Sequence, residues 1–406
     1  MRRSTTVASI LLALVATTPS QPAGAYSIDT TVAQAGGCPQ PDRQDISPAT
    51  LLNPRWSTAL PTAAPILTVA APWTSAQQTE IASVIATSFS VWAGVAGTTF
   101  NATTYPGAIG PLTSVSAANS CTNDQENNAD GIDTICFNQS STAFTPGVLA
   151  FTRVITANAP GASVGASGPA EFAGQILDSD TLFNNSGLVT FATPGALGTS
   201  QGQGAYDLES MLIHELGHWF GLDHSGVWRS IMFPYAPPPG QFLGTRPAPQ
   251  SPDAPLADDD RAGIRSLYPD PNDTVNVGTI RGQVLPANPF ALATLPGPYA
   301  GGSVTGIFGA QVVAVDSGTG SVMAATLAGW SCGVTSPSLQ FDGSYEIDHL
   351  PVNRNYIVYA EPLDGLVTGS DFSGAINGLC GPGASPACTT PAVNLNFNPR
   401  ILPGAP

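Results

Sequence analysis

Lysine is absent from all 406 residues: the 12 basic side chains are arginines, set against 28 acidic ones, for a formal net charge of −16. Nucleic-acid binding needs clustered cations for its phosphate contacts, so a nucleic-acid partner is argued against. An anionic membrane surface is an equally poor match. Charge of either sign is scarce at 10% of residues, and histidine scarcer still at four. Long apolar runs are missing beyond the N-terminus, so no later segment is expected to span a bilayer. The 43 glycines and 38 prolines argue against long helices and for a turn-rich, strand-rich protein with a few helices. Hydrophobic content of 42% suffices for a sizeable core. The length suggests two or three domains at roughly 100–200 residues each.

The first 25 residues have the pattern of an export signal. Arg2 and Arg3 open it, an apolar stretch runs from Val7 to Ala16, and Ala23-Gly24-Ala25 supplies an A-x-A cleavage pattern. The expected mature protein is secreted, soluble and monomeric. Six cysteines, at 38, 121, 136, 332, 380 and 388, read as disulfides in an exported chain. Cys121 with Cys136 and Cys380 with Cys388 are the natural local pairs, although spacing does not fix connectivity.

Residues 26–50 form a short, polar pro-segment or leader. A first domain over 51–270 and an accessory domain over 276–400 follow, with the joint at Pro269 to Asn276. In the first domain, strands are expected near Ile66–Ala70, Ile132–Phe137, Leu149–Ile155 and Phe172–Leu177. Helices are expected over Gln77–Val95 with Ser75 as N-cap, over Asp207–Phe220, and over Asp258–Leu267. In the second, strand-like runs at Thr279–Val284, Ala310–Val315, Tyr345–Ile347 and Tyr356–Ala360, with an Asp342-Gly343 turn, read as a small β-sandwich.

The segment that carries chemistry is His214-Glu215-Leu216-Gly217-His218-Trp219-Phe220-Gly221-Leu222-Asp223-His224. Residues four apart lie one turn apart on a helix face, so His214 and His218 point two imidazoles at one metal ion. Glu215 lies about 100° round the helix from His214 and reaches a metal-bound water without displacing a ligand. Gly221 lets the chain leave the helix with positive φ and return His224 as the third ligand. Three neutral nitrogens leave one zinc position open for water, as hydrolysis requires. Glu215 is then the general base that takes the water proton and passes it to the leaving amine. Three of the chain's four histidines fall in this motif, which argues against incidental packing residues. Structural zinc sites usually have four protein ligands, which argues against a purely structural ion.

Met232 follows in Ser230-Ile231-Met232-Phe233-Pro234-Tyr235. The extended zinc motif with a downstream Met is the metzincin pattern, in which Met232 forms an apolar floor beneath the zinc. With Ser225 after the third His, the segment resembles the matrixin family, the matrix metalloproteinases and their bacterial relatives. The likeness covers roughly Arg55 to Tyr268 and includes Arg55-Trp56, the helix ending in Trp92, Asp130-Gly131, and Ala257-Asp258-Asp259-Asp260. It implies an α/β metzincin domain (α+β in broader terms) with a twisted, mostly parallel sheet, three helices and a cleft across the zinc. It further implies one catalytic zinc, protein or peptide substrates bound as an extended strand along the sheet edge, and a specificity pocket shaped by the loop after Met232.

Two departures qualify the resemblance. The second, structural zinc of animal matrixins is built mostly from His, and no His precedes His214; that site is expected to be absent. Asp178 and Asp180, in Gly174-Gln175-Ile176-Leu177-Asp178-Ser179-Asp180, are either calcium ligands or solvated carboxylates on a strand-end loop. Cys38-Pro39-Gln40-Pro41-Asp42 has the spacing of a cysteine switch that caps the zinc, but the helical prodomain of the family is missing, and an ordinary disulfide is the other reading. The C-terminal module is similar to carboxypeptidase-regulatory-like or transthyretin-like β-sandwiches. His349, outside the zinc motif, reads as a turn or surface residue. Asn101, Asn138, Asn184 and Asn272 stand in N-x-S/T sequons.

The resulting expectation is a secreted zinc endopeptidase. The alternative is a non-catalytic binding or adhesion protein on a metzincin scaffold. Retention of Glu215 favours the enzyme.

Overall fold

A computed structural model describes, apart from short internal gaps, residues 75–99, 131–240, 255–287 and 305–372, with 4–5, 9–12 and 56–57. In chain order the N-terminal half contains β1 (Ser4–Thr5), β2 (Ser9–Leu12), α1 (Ser75–Ala93), β3 (Thr134–Gln139), β4 (Val148–Thr156), β5 (Ile176–Asn184), β6 (Phe191–Ala192), β7 (Tyr206–Asp207), α2 (Leu208–Trp219) and α3 (Asp258–Leu267). The three α-helices among the described residues are those read from sequence. Ser75 begins α1 instead of capping it.

β3 pairs parallel with β5, and β5 antiparallel with β4. β1 and β2 pair antiparallel on the outer edge of β4. The described sheet is therefore mixed, not mostly parallel. The expected strand at 66–70 lies outside the described residues. All nine residues of β4 and all nine of β5 are buried, as central strands covered on both faces should be.

The helices follow their apolar periodicity. Ile81, Val84, Ile85, Phe89 and Trp92 line one face of α1 and are at most 3% exposed. That face meets α2, with Phe89 edge-on to Trp219 at 5.4 Å between centroids. The far side of α2 packs on β4 and β5.

After residue 276 the described elements are strands and one short turn. β8 (Val277–Gln283), β9 (Ala310–Asp316), β10 (Val322–Ala328), β11 (Ser331–Cys332), β12 (Leu339–Gln340), β13 (Ser344–Pro351) and β14 (Tyr356–Pro362) precede a 3-10 turn at Gly369–Phe372. They pair antiparallel as β8 with β13, β11 with β12, and in the order β10-β9-β14. The expected Asp342-Gly343 turn precedes β13, with Gly343 at φ 75° and Ser344 N donating to Asp342 Oδ1 at 3.0 Å. β10, short and alanine-rich, gave no clear sequence signal and was not expected.

These strands share a core with the N-terminal half. One continuous apolar cluster joins Trp56, α1, α2 and Ile264 and Leu267 of α3 to Ala324, Ala328, Ile347 and Leu350. α3 is the pivot, packed against both β10 and β13. His349 sits with φ 53° at a register shift of β13, and its N–H donates to Asp348 Oδ1 at 2.8 Å. The expected turn character is thus realised as a bulge. Among the described residues no helix is long and apolar enough to cross a membrane.

Candidate metal centre

The centre is built on α2, and local chemistry fixes where this helix starts and stops. Asp207 caps its N-terminus, accepting from Glu209 N at 3.2 Å and from Ser210 Oγ at 2.7 Å. At the other end Phe220 is the C-cap and Gly221 takes φ 102°, a conformation a β-carbon would strain. Leu222 N then donates back to Gly217 O at 3.0 Å, which folds the chain over so that His224 faces the helix.

His214, His218 and His224 bring one ring nitrogen each within 4.8 Å of one another, and all three are buried. They are the one such His/Cys/Asp/Glu group among the described residues. Each ring is fixed at Nδ1 by a backbone carbonyl: His214 by Ile231 O at 2.6 Å, His218 by Leu222 O at 2.7 Å, and His224 by Asp371 O at 2.6 Å. A carbonyl can only accept, so each Nδ1 carries the proton and each Nε2 carries a lone pair. The lone pairs of His214 and His218 face each other at 3.2 Å. That arrangement is repulsive unless a cation lies between them. Tetrahedral zinc, with Zn–N bonds of about 2.0–2.1 Å, holds two nitrogens about 3.3 Å apart. His224 Nε2 is buried with no hydrogen-bond partner. The three residues therefore fit a zinc ion.

Burial, reinforced by neighbouring imidazoles, lowers the basicity of His214 to a pKa of about 3 and that of His218 well below the ordinary range. Both stay neutral, as ligands must. Glu215 is wholly buried. Thr152 Oγ1 of β4 donates to its Oε2 at 2.7 Å, while Oε1 has no hydrogen-bond partner. Burial pushes this carboxyl up to about 8, opposed by the Thr152 hydroxyl.

Met232 packs against the motif helix at Gly217. A β-carbon on Gly217 would overlap Met232 Sδ and approach Trp92 Cζ2 to 3.1 Å. The turn carrying Met232 is gripped by Asp260 of α3. Its carboxylate accepts from Ser230 Oγ, from Ile231 N at 2.9 Å, from Met232 N at 3.3 Å and from Ala257 N at 2.7 Å. Asp259 accepts from Ser225 Oγ at 2.6 Å and from Ala325 N of β10 at 2.9 Å. It thus ties the residue after the third ligand to the C-terminal strands.

Asp178 and Asp180 are not on a strand-end loop. They lie inside β5, at 0% and 4% exposure, with Arg153 directly opposite Asp180. The reading of these residues as solvated carboxylates is therefore corrected: β5 begins later and runs further than the sequence suggested. Among the described residues neither belongs to a group of three potential ligands. Cys38 lies outside the described residues. Of the six cysteines only Cys136 has a described side chain, and it is buried; the expected pairings also fall outside. Thr152, Asp259, Asp260 and Asp371 were not identified from sequence as parts of the site. The Ala257-Asp258-Asp259-Asp260 run was the one hint, and only as a resemblance.

The model of the matrixin family matches residues 67–269, half of the chain. A 64-residue segment is 44% identical to Metalloendoproteinase 1 of Glycine max, covering 16% of this chain and 17% of that protein. A 73-residue segment is 40% identical to Metalloendoproteinase 4-MMP of Arabidopsis thaliana, 18% of each chain. The chain thus spans under a fifth of the length of these relatives.

Proposed function

The chain belongs to the matrixin family, and from that premise we propose that it is a secreted zinc-dependent endopeptidase that cleaves peptide bonds in proteins. The observation that carries the reading is the convergence of three Nε2 lone pairs beside a buried carboxylate with one unused oxygen. The names of the plant relatives point the same way. Export rests on the Arg2-Arg3 start, the apolar stretch and Ala23-Gly24-Ala25.

His214, His218 and His224 would hold the metal. Zinc, when bound, supplies a Lewis acid and lowers the pKa of its water toward neutrality. The chain's own residues do the rest. Glu215 Oε1 receives the water proton and returns it to the leaving amine. Thr152 holds the other oxygen of that carboxylate, so the free oxygen keeps its direction toward the reacting atoms. The carboxylate also needs the ionised form, which the nearby cation favours against burial. Substrate would add as an extended strand along the outer edge of β4. That edge is where β1 and β2 pair antiparallel, and removal of the export signal that contains them would open it.

The test is cleavage of casein or gelatin by the mature protein, with and without a zinc chelator, beside the Glu215→Ala variant, with bound metal determined in each. Proteolysis abolished by chelator and by the substitution, with about one zinc per chain retained in the variant, is the expected result. A protein that binds no zinc overturns the reading. One that binds zinc but cleaves nothing, even without residues 26–50, favours a binding protein on the same scaffold.

A further inference from the structure

The three carbonyls that fix the motif imidazoles do not come from the same half of the molecule. His218 is served from four residues away and His214 from 17, but His224 is served by Asp371, 147 residues downstream and beyond the strands of the C-terminal half. We propose that the turn at residues 368–372 is a positioning element of the metal centre, so that the C-terminal half sets the affinity and geometry of the zinc site. The proposal rests on reading the histidine triad as that site.

The turn is built to present this carbonyl. Asp371 Oδ2 accepts from Thr368 N at 2.7 Å and from Thr368 Oγ1 at 2.9 Å, while Asp371 N donates to Thr368 O at 3.0 Å. The Asp371 side chain thereby locks the backbone that carries its own carbonyl. Next to it, Phe372 is completely buried in an aromatic cluster with Phe308, Trp330 and Phe341. Phe233, the residue after Met232, belongs to the same cluster. Tyr235 OH reaches Asp371 Oδ1 at 3.3 Å. The turn is thus held by the C-terminal strands and by the loop after Met232, with His224 between.

The chemistry explains why such a partner matters. An acceptor at Nδ1 keeps the proton there and leaves Nε2 free to ligate; it also makes Nε2 more basic and stops the ring from rotating. Within the motif itself, nothing supplies this acceptor to His224: the neighbouring Asp223 carboxylate turns instead to the backbone N–H of His224 at 2.7 Å, its Oδ1 lying 4.0 Å from the ring nitrogen. Without the 368–372 turn, the third ligand loses its fixed tautomer while the first two keep theirs.

The test uses the full chain, with Asp371→Ala and Thr368→Ala as variants and Asp371→Asn as the conservative one. Zinc affinity is read by competition with a chromogenic chelator, and ligand geometry by the visible spectrum of the Co2+-substituted protein. Asp371→Ala and Thr368→Ala should bind zinc about tenfold more weakly with a shifted Co2+ spectrum. Asp371→Asn should recover most of the affinity, because an amide oxygen can still accept from Thr368. In a His224→Ala background, Asp371→Ala should cause no further loss. Ile347→Ala, which opens the apolar cluster that does not include Phe372, should lower the melting temperature without moving the spectrum. Because Thr368 lies on an exposed turn, its variant carries the test even if Asp371→Ala fails to fold. Unchanged affinity and spectrum in a folded variant overturn the proposal, as does an equal loss with His224 already removed. Failure of the wild-type protein to bind any metal overturns the zinc reading itself, a result distinct from either.

Discussion

Thr152 and Glu215 are 63 residues apart in sequence, yet one hydroxyl on β4 holds one oxygen of the carboxylate on α2 at 2.7 Å. The same hydroxyl lies 2.9 Å from Thr181 Oγ1 of β5, so the contact is itself supported from the next strand. Replacing it by Thr152→Val should remove a bond to a charged group worth about 1.5 kcal/mol, roughly tenfold in kcat/KM. Zinc content should not change. The hydroxyl lowers the Glu215 pKa, so the acid limb of the pH–rate profile should move to higher pH. An unmoved limb would show that Thr152 does not act on the base.

At Gly217 of the motif, side-chain size is decisive. Gly217→Ala drives a methyl group into Met232 Sδ and toward Trp92. The methionine floor must shift or the helix must lift. Thermal unfolding should report a loss of about 1–3 kcal/mol, with weaker zinc binding. Ala at this position with unaltered melting would mean that Met232 is not packed as described.

Asp259 links the two halves, since its two oxygens serve Ser225 and Ala325. Asp259→Ala leaves a buried hydroxyl and a buried N–H without this partner and should cost about 2–3 kcal/mol. Limited proteolysis should then cut between the halves sooner than in the wild type. Equal resistance would argue that the shared apolar core alone holds them together.

Asp260 gives a pH signature. Burial pushes its carboxyl up to about 6 from the ordinary 3.8, against the pull of its four donors. The folded state therefore binds this proton more tightly than the unfolded chain. The stability contributed by that proton is complete below about pH 4 and is lost as pH rises through about 6. His214, His218 and Glu215 also titrate in the metal-free protein. The signature is therefore the difference between wild type and Asp260→Asn in denaturant unfolding, which should shift against the wild type as pH rises across that window. A difference that stays constant from about pH 4 to about pH 7 would show that Asp260 does not hold this proton.

Much of the N-terminal half was legible from residue spacing. The apolar face from Ile81 to Trp92 and the motif helix from Leu208 are local patterns, and Asp258–Leu267 was bounded as it is found. The Asp178–Asp180 segment misled, because a buried polar strand has no apolar alternation to read and its carboxylates suggest a loop. β10, alanine-rich, was missed because small residues carry little strand signal. The mixed pairing of the sheet also escaped, since strand direction is a property of connections between segments and not of any one of them.

By itself the sequence determined the three histidines, the glutamate beside them and the glycine that turns the third ligand back. All of these sit within eleven residues, where the helical repeat and one positive-φ turn set their relative positions. Only the tertiary structure decided what holds them: the Thr152 hydroxyl, the Asp260 carboxylate under the Met232 turn, and the Asp371 carbonyl on His224. These partners lie 63, 29 and 147 residues from the groups they serve. Contacts at such separations arise when packed elements close on one another, and one of them is a backbone oxygen, which every residue possesses and which therefore leaves no mark in the sequence.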